Sequence, residues 1–281
     1  MRRRFKMLFL GLTAVLFLGI LGGCTKQEAK QRDAWQTAQQ TKTLTWGVKA
    51  DTKLFGLMDV KDSQIKGFDI DIAKALTKQM LGKDAQAKFV QVTSQTRIPL
   101  LKNGNLDAVI ATMTITKDRQ KVVDFSDSYF DAGQSLLVPK DSKIHSVKDL
   151  NHSGTKVIGV VGANSVSNVK KVAPKAQVIQ LQDYAQALTA LKSGQGAALT
   201  TDNGILFGMA VDNPQFKVVG KAFTKEPYGI AINQNQPALK KHLNQALEEI
   251  IANGEYNRLI KKWFGDIPGF NYREVERWLI F

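Results

Sequence analysis

The chain has 281 residues, 43% of them hydrophobic and 23% charged. That is room for one large domain or two modest ones, and too apolar a chain for wholesale disorder. Lys+Arg number 39 against 25 Asp+Glu, a net charge of +14. Cys24 is the one cysteine, which excludes an intrachain disulfide and a cysteine-rich zinc site. His145, His152 and His242 lack the spacing of a helical metal pair, so neither a metal nor another cofactor is expected.

Residues 1–23 read as a targeting segment. Arg2, Arg3, Arg4 and Lys6 form a basic start, and Met7–Leu21 is apolar and uncharged. The uncharged stretch Met7–Cys24 is long enough to span a membrane, which is the competing reading. Small residues at its end, followed by polar sequence, favour processing. Removing residues 1–23 would take away four bases and no acid, leaving 258 residues and a net charge of +10. Such a charge suits an anionic membrane face or cell wall. Nucleic acid is not expected, since the lysines are spread singly and not striped with aromatics. Residues 24–42 lack a clear apolar period and predict a tether.

From Thr43 onward short apolar strands alternate with amphipathic helices. Strands are predicted at 43–48, 88–92, 107–111, 135–138, 156–161, 177–181, 196–200 and 228–232. Helices are predicted at Asp69–Leu81, Pro237–Ala252 and Tyr256–Phe264, each with apolar residues on one face. The alternation predicts an α/β fold with mainly parallel strands. An internal echo reinforces it. Leu101-Lys102-Asn103-Gly104 and Leu191-Lys192-Ser193-Gly194 each end a helix at glycine before a strand. Polar residues follow both strands: Thr112, Thr114 and Thr116, then Thr200, Thr201 and Asp202. Groups just past the carboxyl ends of parallel strands sit where open α/β sheets bind ligands. Two similar lobes facing one cleft are the expectation.

Two series of residues resemble known patterns. Leu21-Gly22-Gly23-Cys24 resembles the bacterial lipobox, which implies cleavage before Cys24 and diacylation of its thiol; two chains anchor stably where one does not. From about Thr43 to Gly265 the chain resembles the extracytoplasmic solute-binding proteins of polar amino-acid ABC transporters, family 3. Gly67-Phe68-Asp69-Ile70-Asp71, Arg97-Ile98-Pro99-Leu100-Leu101, Met113-Thr114-Ile115-Thr116 with Arg119, Val123-Asp124-Phe125-Ser126-Asp127, Glu226-Pro227-Tyr228-Gly229 and Lys262-Trp263-Phe264-Gly265 carry the resemblance. It implies a periplasmic-binding-protein-like fold of type II, with two α/β lobes joined by two strands that cross near Gln134–Val138 and Tyr228–Ala231. Lobe 1 would hold 43–134 and 229–267, lobe 2 would hold 135–228, and 268–281 would be a tail. It also implies a monomer on the outer face of the cell membrane that hands a polar amino acid to an ABC permease.

The site residues follow from amino-acid chemistry and from that resemblance. Arg119 suits an α-carboxylate, which a guanidinium fork binds through two hydrogen bonds; it also lies among Lys117, Asp118 and Lys121, as a solvated helix residue would. Thr114 would add a hydroxyl or backbone contact, and Thr112 a side chain where many relatives carry glycine. Asn164 and Ser165 open a helix whose free N–H groups suit an anion, or simply cap it. Asp202 would pair with the ammonium, or stand in an ordinary Asp-Asn-Gly turn. Asp51 and Phe55 would wall the first lobe, with Phe55 also reading as core. Ser94, where some relatives place an aromatic ring, points to a more polar pocket. Arg97 would read a side-chain carboxylate, favouring glutamate or aspartate over glutamine, or lie behind the site.

Asp69 is read as a helix cap, and Asp124–Asp127 as a turn. Neither Asp69/Asp71 nor Asp124/Asp127 reads as a catalytic carboxylate pair, and no Gly-x-Ser-x-Gly or dinucleotide motif is present. Two other classes of function stay open: an enzyme on the same fold, similar to the cyclohexadienyl dehydratases, and a sensing domain for a separate signalling partner.

Overall fold

The computed structural model describes residues 32–277, so the targeting segment and Cys24 lie outside the described residues. The first element is a helix, α1 (Ala34–Thr41), with Asp33 accepting from the Gln36 N–H at 2.9 Å as its cap. Trp35 stacks on His242 with ring centroids 4.0 Å apart, and the Ala34 N–H donates to Gln236. Residues 34–41 are therefore a docked helix and not part of a free tether. Composition concealed it because the buried face is one aromatic anchor with two small alanines, Ala34 and Ala38, among polar residues.

After α1 come β1 (Thr43–Val48), β2 (Asp51–Thr52), β3 (Gly56–Asp59), β4 (Gln64–Lys66), α2 (Phe68–Leu81), β5 (Gln86–Gln91), α3 (Arg97–Lys102), β6 (Ala108–Val109), α4 (Lys117–Gln120) and β7 (Asp124–Ala132). β8 (Gln134–Pro139), β9 (Lys156–Val160), α5 (Ser165–Val172), β10 (Gln177–Leu181), α6 (Tyr184–Lys192), β11 (Ala198–Asp202), α7 (Asn203–Val211) and β12 (Phe216–Val219) follow. β13 (Glu226–Ile232), α8 (Pro237–Ala252) and α9 (Glu255–Phe264) complete the order.

Two five-stranded sheets have the same layout. One runs β5-β1-β6-β13-β7, the other β10-β9-β11-β8-β12. The echoed segments sit at equivalent places. Each ends a helix, turns at a left-handed glycine (Gly104 φ 77, Gly194 φ 68) and leads into the central strand, β6 or β11. The sheets are more mixed than the expectation of mainly parallel strands. Three strands of each are parallel, but β13 runs against β6 and β7, and β8 against β11 and β12. The strands nearest the crossings supply these antiparallel pairs.

The chain passes between the sheets at Gly133, between β7 and β8, and again between β12 and β13. Glu226 and Pro227 pair with Ala132 and Asp131 in the first sheet. The return thus begins at Glu226, earlier than the Gly229 boundary expected, because the two crossing strands pair beyond the body of the lobe. Asp124–Asp127 opens strand β7 and is not a turn: Asp124 and Phe125 pair with Ile232 and Ala231 of β13, Phe125 and Ser126 are buried, and Asp127 is exposed.

A knot of aromatic rings fills the first lobe beside the crossings. Phe55 is fully buried and packs edge-on against Phe68, Phe130 and Tyr228 and at a tilt against Phe264, with centroids 5.2–6.4 Å apart. The C-terminal residues also dock. The Tyr256 hydroxyl donates to the Tyr129 and Val275 carbonyls at 2.6 and 3.1 Å, and Arg277 reaches Ser128 and Asp131 on β7. Residues 268–277 are therefore an ordered part of the first lobe, whereas the sequence predicted a tail.

Truncating Trp35 tests the docked helix. Trp35→Ala should lower the unfolding free energy by about 2 kcal/mol or more, the scale of a large aromatic leaving a packed site. Denaturant titration with an unchanged midpoint would mean that residues 34–41 carry no stability and are tether after all.

Candidate functional site

The carboxyl ends of the parallel strands of both sheets converge on one cleft, and the loops there bring charged side chains together. From the first lobe come Lys49 and Asp51, just after β1, and Arg97 at the start of α3. Arg119 comes from α4, and Tyr228 and Glu226 from β13. The second lobe supplies Asn164 and Ser165 at the start of α5, Tyr184 at the start of α6, and Asp202 at the end of β11. The lobes touch across the cleft. Arg119 Nη2 donates to the Gly162 carbonyl at 3.2 Å, the Tyr184 N–H donates to Asp51 Oδ2 at 2.8 Å, and Lys53 pairs with Asp212. Gly162 makes this closeness possible. Its φ is +80, and a Cβ there would lie 2.7 Å from the backbone of Ser94 and Gln95.

Arg119 is partly buried, and its Nη1 donates to the Thr114 carbonyl at 2.7 Å. The Thr114 backbone therefore holds the guanidinium. Arg97 is 2% exposed, with Nη1 donating to the Ala111 carbonyl at 2.6 Å. Burial, followed by the neighbouring Arg119 charge, lowers its pKa to about 9. Asp202 is buried and accepts from the Tyr228 hydroxyl at 2.6 Å. Burial dominates its titration and raises the carboxyl to about 6, against the pull of the Tyr228 hydrogen bond and Arg119. It is thus a buried carboxylate beside the crossing strands, not a surface turn.

Asn164 does not cap α5 with its side chain; its Nδ2 donates to Glu226 Oε2, and Asn168 donates to Glu226 Oε1 at 3.3 Å. Thr112 is 5% exposed, with its hydroxyl turned back onto the Ala111 carbonyl at 2.8 Å. Phe55 sits in the aromatic knot, with the second lobe's Gly204 against its ring. Ser94 is buried under Gly162.

Sequence reasoning missed Lys49. Its side chain is wholly buried, 3.1 Å from Asp51 Oδ1 and 4.8 Å from the centre of the Tyr184 ring. The angle to Asp51 gives an ion pair without a hydrogen bond. Burial lowers its pKa, with Asp51 opposing. Among the described residues, Lys49 Nζ, Arg97 Nε, Ser165 Oγ and Thr200 Oγ1 are buried side-chain atoms without a hydrogen-bond partner. Such atoms are costly unless something pairs with them, and they belong to residues from both lobes. A lysine after an apolar strand gives no sequence signal of burial. Asp69 was likewise misread: Gly67 holds the cap position of α2, and Asp69 is buried at the second residue of the helix, within its first turn.

Comparison with known proteins fits this geometry. The family model of bacterial extracellular solute-binding proteins, family 3, matches residues 44–266. The chain is 48% identical to the ABC transporter glutamine-binding protein GlnH of Bacillus subtilis, over 95% of this chain and 99% of that one. It is 48% identical to the glutamine-binding protein of Geobacillus stearothermophilus, over 79% of this chain and 89% of that one. Among solved structures it superposes on an ancestral arginine-binding protein bound to glutamine with a TM-score of 0.75. That match is 39% identical and covers 80% of this chain and 99% of the other.

The raised carboxyl of Asp202 has a measurable consequence. The folded protein holds a proton there that the unfolded chain releases near the ordinary value of 3.8. That contribution to stability is complete below the unfolded value and lost as pH rises through about 6. Ligand-free melting temperatures between about pH 5 and pH 7 should fall less with rising pH in Asp202→Asn than in the parent. Parallel profiles would contradict the buried, strained carboxylate.

Proposed function

Since the chain belongs to the bacterial extracellular solute-binding proteins of family 3, we propose that its ligand is glutamine, held between the lobes with every polar group paired. It is the substrate-binding protein of an amino-acid importer and not an enzyme. Arg119 takes the α-carboxylate, and Asp202 the ammonium. Ser165 and the N–H groups opening α5 assist the carboxylate. Lys49 and Asp51 read the side chain.

The observation that carries the choice of glutamine is the Lys49–Asp51 pair. A carboxamide is both acceptor and donor. Lys49 offers a donor without a hydrogen-bond partner, and Asp51 an acceptor beside it. A side-chain carboxylate would satisfy Lys49 but meet the like charge of Asp51. Lys49, Arg97 and Arg119 stand against Asp51, Asp202 and Glu226, a balance that a neutral zwitterion leaves unchanged and glutamate would upset. Arg97, already donating to Ala111, supports the site from behind. The similarity to two glutamine-binding proteins points the same way.

The chain's setting completes the reading. Residues 1–23 are a signal removed before Cys24, and lipid on Cys24 anchors a monomer to the outer face of the cell membrane beside its ABC permease. Residues 43–133 and 226–277 make the first lobe and 134–225 the second, and they part at the crossing strands to admit ligand.

Calorimetric titration with glutamine and glutamate tests the assignment. Arg119→Ala and Asp202→Ala should each cost about 2–5 kcal/mol for both ligands, the usual penalty for stripping one side of a buried charge pair. Asp51→Asn should instead narrow the preference for glutamine by removing the repulsion of glutamate. A parent protein that prefers glutamate, or an Asp51→Asn variant with unchanged preference, would overturn the reading.

A further inference from the structure

The side chain of Asp69 is 1% exposed and makes no contact with the cleft's charged atoms through hydrogen bonds. Its two carboxylate oxygens go elsewhere. Oδ2 accepts from the Thr112 N–H at 3.0 Å, and Oδ1 accepts from the Tyr129 hydroxyl at 2.9 Å. Residues 111–114, at the end of β6, are the backbone onto which both cleft arginines are fixed. Arg97 Nη1 donates to the Ala111 carbonyl at 2.6 Å, and Arg119 Nη1 to the Thr114 carbonyl at 2.7 Å. Thr112 lies between those two carbonyls with φ +46. A β-branched residue is strained in that left-handed region, so the backbone stays there only where its surroundings hold it. The Asp69 carboxylate bonds that residue's own N–H, and the Tyr129 hydroxyl holds the carboxylate. Downstream, Ile115 N–H donates to the Pro227 carbonyl, and the Gly229 N–H to the Met113 carbonyl, tying the same segment to the crossing strand.

We propose that Asp69 is a positioning residue for amino-acid capture: by bonding the Thr112 N–H, it holds residues 111–114 in the strained shape that aims Arg119 into the cleft and fixes Arg97 behind it. The inference rests on the cleft being the amino-acid site. It gives the acidic residue near the start of α2 a task that neither helix capping nor ligand contact supplies. It also explains how the chain tolerates threonine at position 112, where glycine would adopt the same φ without strain.

The proposal makes an unusual prediction: glycine at 112 should relieve the need for Asp69. Glutamine affinity is measured for Asp69→Ala, Asp69→Asn, Thr112→Gly and the double variant Asp69→Ala/Thr112→Gly, with folding checked by thermal unfolding. Asp69→Ala should weaken binding by about tenfold or more, the equivalent of roughly one lost hydrogen bond. Asp69→Asn should remain near the parent, because an amide can accept from Thr112 and donate to the Tyr129 oxygen. The double variant should bind more tightly than Asp69→Ala alone. Should Asp69→Ala fail to fold, Asp69→Ser, too short to reach Thr112, takes its place in the same comparisons. Binding of Asp69→Ala within twofold of the parent, equal losses for Ala and Asn, or no recovery in the double variant would each overturn the proposal. Amide hydrogen exchange at Thr112 in the ligand-free protein gives an arm independent of ligand identity. Exchange should be slow in the parent and fast in Asp69→Ala, and equal rates would overturn the positioning role. A parent that binds no glutamine, together with the expected exchange difference, would fault the ligand assignment and leave the positioning role supported.

Discussion

Charge removed from water must find a partner, and in this protein the cleft concentrates more buried charge than its own hydrogen bonds satisfy. Lys49 and Arg97 are almost fully enclosed, and Asp202 is held in a protonation range well above that of an ordinary carboxylate. Their titrations all shift in the direction that desolvation dictates. A site in this condition favours a molecule that carries both signs of charge at fixed separation. The free amino acid does so, which is why the cost of burying these groups becomes binding energy only when such a solute enters.

The fold's contribution is to hold the charges where they cannot relax. Each lobe presents its polar residues past the ends of parallel strands. The lobes meet through contacts as close as Gly162 against Ser94. The first lobe is stiffened behind the cleft by the aromatic rings around Phe55 and by the C-terminal residues bonded to β7. Arg97 and Arg119 are not independent side chains. Both are fastened to residues 111–114, and that segment is fastened in turn to Asp69. On the proposed reading, placement of the ligand's carboxylate depends on a carboxylate that lies outside the ligand's reach.

Much of this was legible in the sequence. The glycine-ended helices at Gly104 and Gly194 announced two similar lobes, since a left-handed glycine followed by an apolar strand has few structural alternatives. Arg119 and Asp202 were expected at the cleft from the resemblance and from the two charges of an amino acid, and the fold brings both to its edge. Lys49 was not, because burial of a lysine is decided by Tyr184 and Asp51, brought together only by the fold. Asp69 misled because an acid near a helix start is usually a cap, and the N–H it bonds is 43 residues away. The start of strand β7 was hidden because Asp124 and Asp127, which flank the buried Phe125 and Ser126, break the simple alternation of a half-buried strand. Helix α1 was hidden because its buried face is one tryptophan and two small alanines, Ala34 and Ala38, which give a weak apolar signal.

A diffraction structure of the protein grown with glutamine tests the central claim most directly. The account predicts the α-carboxylate on Arg119, the ammonium on Asp202 and the carboxamide between Lys49 and Asp51, with the lobes in contact. A glutamine whose side chain points away from Lys49, or a carboxylate bound elsewhere than Arg119, would contradict it.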